Sequence, residues 1–109
     1  MKTINLDEKL KHFDTHWDPH VVADYNHNDV MVVKFKGAFP FHKHETTDDF
    51  FYVLDGEMFM DIEGEPSRTV KAGEMFVVPK ASSIDPVLKA KSKLCLSNRK
   101  ANPIQATLV

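Results

Sequence analysis

Apolar and polar residues alternate along most of this chain, and the alternation predicts strands. The runs "HVVADYN", "DVMVVKFKG", "FFYVLDGEMFMDIEG", "EMFVVP" and "SKLCLSN" are rich in β-branched and aromatic residues and lie between turn-forming clusters. Successive strand residues point to opposite sides, so such runs can bury one face and expose the other. With no helix-length segment between them, they predict an all-β sandwich or barrel rather than a parallel α/β sheet. Residues 5–13, "NLDEKLKHF", have a helical period instead, with Leu6, Leu10 and Phe13 on one side. Asn5 is the candidate N-cap, with Glu8 three residues on. Pro19 in "THWDPH" stops that helix, and Trp17 with Pro19 is expected to anchor the segment. Asp55-Gly56 predicts a two-residue hairpin between "FFYVL" and "EMFMDI". Further turns are expected at "EGEP", residues 63–66, and "KAG", residues 71–73. The terminal "ANPIQATLV" is apolar enough to pack or pair.

Composition narrows the class without naming a function. The 109 residues make one domain, residues 1–109, with residues 1–20 as a helical segment packing on the strands. Fourteen basic and 16 acidic residues give a formal charge of −2, with no overall basic balance that would point to nucleic acid. No apolar run is long enough to span a bilayer, and "MKTINLDEKL" lacks a signal peptide's apolar stretch. One cysteine, Cys95, excludes an internal disulfide framework, so a cytoplasmic setting is expected. No nucleophilic triad, phosphate loop or cysteine cluster is present.

Candidate chemistry sits in "PFHKHETTDD", residues 40–49. His42 and His44 are two apart, so on a strand they share a face and can aim at one metal ion. Asp49 supplies a nearby carboxylate. By alternation Phe51 and Val53 share the side of Asp49, while Phe50, Tyr52 and Leu54 take the other. His12 and His16 are four apart but lack a third partner, and they are read as surface residues, as are His20 and His27. Cys95 is read as an inert thiol, with no base placed beside it.

The order Gly37, His42, His44, Asp49, Gly56, followed by Gly73 and Pro79, resembles the two sequence boxes of the cupin superfamily. The first box reads Gly, spacer, His-x-His, Glu, Gly, and the second Gly, Pro-x-Gly, His. "TDDFFYVLDGEM" and "AGEMFVVPK" carry the resemblance most clearly. It implies a double-stranded β-helix, a jelly-roll barrel with a short N-terminal helix and a small-molecule pocket inside. It also implies a homodimer, and a divalent metal held by three His and one Glu. Pocket-lining candidates are Phe51, Val53, Met58, Met60 and Ile84.

Three positions depart from that pattern. The third histidine is replaced by Ile84, which cannot ligate. The glutamate is replaced by Asp49, which falls short by about 1.5 Å against a metal–oxygen bond of about 2.0–2.2 Å. The glycine after Pro79 is replaced by Ala81. What remains is a two-histidine, one-carboxylate set, His42, His44 and Asp49, able to suit Fe, Mn, Ni, Zn or Cu. Three readings stay open. One is a pocket protein with a degraded or conditional metal site. The second is a metal-dependent oxygenase or isomerase. The third is a dimeric, non-catalytic binding module without metal.

Overall fold

The computed structural model of the chain describes residues 1–40, 48–61, 66–79, 87–99 and 107–108. It contains one short helix, α1 (Leu6–Leu10), and strands β1 (His20–Tyr25), β2 (Asn28–Pro40), β3 (Asp49–Asp61), β4 (Arg68–Lys71), β5 (Met75–Val78), β6 (Val87–Arg99) and β7 (Thr107–Leu108). The sheet order is β4-β3-β6-β2-β1-β7, with β5 also on β3. The long strand β6 lies between β2 and β3 and is antiparallel to both. Along its other edge, β3 pairs with β5 through Asp49–Tyr52 and with β4 through Glu57–Met60.

The alternation read from the sequence places the core. Met31, Val33 and Phe35 of β2 pack with Phe51, Val53, Met58 and Met60 of β3, with Val70 of β4 and with Val78 of β5. Val32, on the opposite side of β2, joins Leu10 and Phe13 in a second cluster, with Leu6, Val22 and Leu54 against it. Thus α1 covers the outer side of the strands whose inner side forms the main core.

Helix α1 is shorter than its apolar period predicts. Asn5 does cap it, its Oδ1 accepting the Glu8 N–H at 3.1 Å. The helix stops at Leu10, well before Pro19. Phe13 is nevertheless buried, because it packs as part of the chain that follows the helix. Trp17 then reaches β2 beyond the end of β1. Its backbone N–H donates to Lys34 O at 2.9 Å, and its Nε1–H donates to Lys36 O at 2.9 Å. Its ring stacks on Phe35 at 4.1 Å. These contacts offset a left-handed backbone, φ 60°, that is unfavourable for a bulky residue. The anchoring role expected of Trp17 is therefore present.

The hairpin expected at Asp55-Gly56 does not form. β3 runs unbroken from Asp49 to Asp61, and β6 pairs with it on both sides of the dipeptide. Val53 pairs with Leu94 and Asp55 with Lys93, which leaves Leu54 as the extra residue of a β-bulge. Gly56, at φ 81°, absorbs the local kink. A hairpin would satisfy only its own two arms, whereas the bulge keeps the whole of β3 paired with β6. It also changes which residues face inward. Asp49, Phe51 and Val53 are buried before it, and Met58 and Met60 after it.

The turn expected at residues 71–73 forms. Lys71 O accepts from Glu74 N at 2.9 Å, with Gly73 at φ 87° in the position where a type II turn needs it. Val53 holds this turn through both its N–H and its carbonyl oxygen, bonded to Glu74 O at 3.0 Å and Gly73 N at 2.9 Å. Most of the turn expected at residues 63–66 lies outside the described residues, although β3 and β4 pair antiparallel across it.

Candidate functional site

Asp49 opens β3 and is 1% exposed. Its inward direction follows from strand alternation with Phe51 and Val53, and Asp48 before it is exposed. On β5, Val78 lies opposite Asp49, and Phe76 lies opposite Phe51. The Phe51 and Phe76 rings stack at 4.6 Å with an interplanar angle of 13°. The carboxylate therefore sits at the end of an aromatic and aliphatic layer. A charge is costly in such surroundings unless other groups compensate it, and Asp49 does interact with other groups of the fold.

His42, His44, Ala81 and Ile84 lie outside the described residues. Among the described residues, no group of three or more His, Cys, Asp or Glu is arranged to hold a metal. The candidates Phe51, Val53, Met58 and Met60 all belong to the packed main core, at 0–6% exposure. Leu54 turns outward, as alternation expects, and packs beside the helix cluster. The backbone of Cys95 pairs with Val32 and Tyr52 in the middle of the sheet. Among the described residues, no helix is long and apolar enough to cross a membrane.

His20, expected at the surface, is instead buried at 6% exposure. Its ring stacks on Phe13 at 3.8 Å, and its Nε2 meets Thr15 Oγ1 at 3.3 Å and Asp18 Oδ2 at 3.5 Å. Its Nδ1 is a buried polar atom with no hydrogen-bond partner among the described residues. The available sequence signal was its place at the head of an apolar run, directly after the Trp17–Pro19 anchor.

Comparison with known proteins agrees with this architecture. The family model described as Cupin domain matches residues 29–83. A cupin-2 domain containing protein from Shewanella frigidimarina is 33% identical, with a TM-score of 0.81 over 88% of this chain and 93% of that one. The uncharacterised protein YdbB of Bacillus subtilis is 25% identical over 88 residues, which is 76% of this chain and 74% of that protein. Hydroquinone 1,2-dioxygenase from a Sphingomonas species is 18% identical, with a TM-score of 0.75 over 95% of this chain and 33% of that one. At that identity the likeness concerns the fold alone.

Proposed function

The chain belongs to the cupin family, and from that premise we propose that it binds a small molecule beside a conditional divalent-metal site formed by His42, His44 and Asp49. The observation that carries this reading is the burial of Asp49 on the inward side of β3. This is the residue that falls at the carboxylate position of the first cupin box. Two imidazoles and a carboxylate suit borderline divalent ions such as Fe, Mn, Ni, Zn or Cu. A bound ion would supply Lewis acidity and open coordination positions. Asp49 would contribute the anionic donor, from a buried position opposite Val78 on β5 and on the same side of β3 as Phe51. Ile84 leaves the set one imidazole short, so binding is weak and depends on metal supply. Fold does not choose a reaction, and none is assigned.

Elemental analysis of the untagged protein, loaded separately with Mn, Fe, Ni, Zn and Cu, tests this reading. Weak uptake of at least one ion is expected, lost in Asp49→Asn and in His42→Ala. Ile84→His restores the missing imidazole and should raise affinity by about tenfold or more. Absence of uptake under every loading removes the metal site. Unchanged uptake in Ile84→His shows that the ion sits elsewhere.

A further inference from the structure

Around Lys34 and Lys36, which take the side of β2 opposite Met31 and Val33, the described residues form an open cleft of about 530 Å³. It is lined by His16, Lys34, Phe35, Lys36, Asp55, Gly56 and Lys93. We propose that this cleft binds a small dianion carrying phosphate or carboxylate groups.

The charge distribution is the first argument. The chain carries more acidic than basic residues, 16 against 14, yet this cleft gathers three lysines against one carboxylate. The second argument is register. Lys34 and Lys93 are direct partners on neighbouring antiparallel strands, an arrangement in which like charges repel. Lys93 has a weak carboxylate partner among the described residues. Asp55 approaches Lys93 Nζ at 3.6 Å, but at 71% and 44% side-chain exposure the pair is well solvated and weak. A bound dianion would remove the repulsion directly.

The third argument is preorganisation. Lys34 Nζ donates to Phe13 O at 2.6 Å and lies 4.8 Å above the Phe13 ring, so one cation is already fixed in place. His16 is held at the rim because Trp17, the next residue, is bonded to Lys34 O. Gly56, just past the bulge, presents no side chain, which keeps that wall open. The volume lies within the range of about 300–1,000 Å³ that small-molecule sites occupy. Lysines recognise phosphate and carboxylate as point charges and need no planar match.

The test titrates the full chain with inorganic pyrophosphate and, separately, with succinate at constant ionic strength, with sodium chloride as reference. Amide NMR shifts of Phe35, Lys36, Asp55 and Gly56 are followed. Saturable shifts confined to these residues are expected, with Kd below about 1 mM. Lys36→Glu and Lys93→Gln should each weaken binding by about tenfold, and Asp55→Asn should tighten it by about threefold. Lys2→Glu, at the exposed terminus, should change nothing. Saturation by pyrophosphate alone assigns a phosphate ligand, by succinate alone a dicarboxylate, and by both a general dianion site. Shifts that never saturate overturn the proposal, as does a Lys36→Glu or Lys93→Gln variant that binds as tightly as Lys2→Glu. Since Asp49 lies outside this cleft, failure here leaves the metal reading untouched.

Discussion

On the inward side of β2, Met31, Val33 and Phe35 are at most 8% exposed and meet the buried residues of β3. On the outward side of the same strand, Val32 is covered by the helix cluster, and then Lys34 and Lys36 stand at a cleft. One strand thus feeds the main core from Met31, Val33 and Phe35, and from its other side feeds first the helix cluster at Val32 and then a charged cleft at Lys34 and Lys36. On β3 the parity is not constant. The bulge at Leu54 changes the inward residues from odd to even, and it brings Asp55 and Gly56 to the cleft. The bulge therefore serves both faces at once. It keeps Met58 and Met60 in the core while setting Asp55 opposite Lys93.

Deleting Leu54 removes the residue on which both faces of β3 depend. Without the extra residue, the strand either slips its register against β6 or turns Met58 and Met60 outward. The expected loss exceeds that of any single core truncation, above about 5 kcal/mol, so the variant should be unfolded at 25 °C by circular dichroism. A deletion variant with the parent's urea midpoint would show that the bulge is incidental.

What the sequence revealed of this arrangement divides along a physical line. Features decided by near neighbours were legible. Asn5 with Glu8 marked the cap, alternation placed Phe51 and Val53 beside Asp49, and Gly73 marked its turn. Features decided by distant partners were not. Asp-Gly is a strong local hairpin signal, but β6, some forty residues on, pairs across it and converts it to a bulge. β4 carries no strand signal of its own, because "RTVK" offers one apolar residue, Val70, and exists as a strand through its pairing with β3. Lys34 and Lys93 meet through register alone, so their cluster is invisible in overall charge. His20 owes its burial to Phe13, Thr15 and Asp18, whose path after the short helix no local pattern fixes. Of the candidate metal site, alternation puts Asp49 on the same side as Phe51 and Val53, and all three are buried. His42, His44 and Ile84 lie outside the described residues.

Truncating one residue from each face measures how unequal the faces are. Phe51→Ala opens a hole between Val53 and the stacked Phe76, in the main core. It should cost about 3–5 kcal/mol. Leu10→Ala empties the smaller cluster under α1, where the chain can settle toward Val32, and should cost about 2–3 kcal/mol. Urea denaturation of both variants gives the difference. Equal losses would mean that the helix side contributes as much as the barrel side.

Asn5→Ala tests the outer face at its weakest point. The side-chain oxygen satisfies one orphan N–H, that of Glu8, at the start of a helix only five residues long. Removing it should cost about 0.5–1 kcal/mol. The loss should remain local, because Leu10 and Phe13 are held by packing against Val32 rather than by the cap. Amide exchange at Glu8 should therefore quicken by roughly threefold, while the amides of Val32 and Val33 keep their protection. If protection at Val32 falls together with that at Glu8, then the cap and the outer cluster form one cooperative unit, and α1 is part of the sheet's stability rather than a cover laid over it.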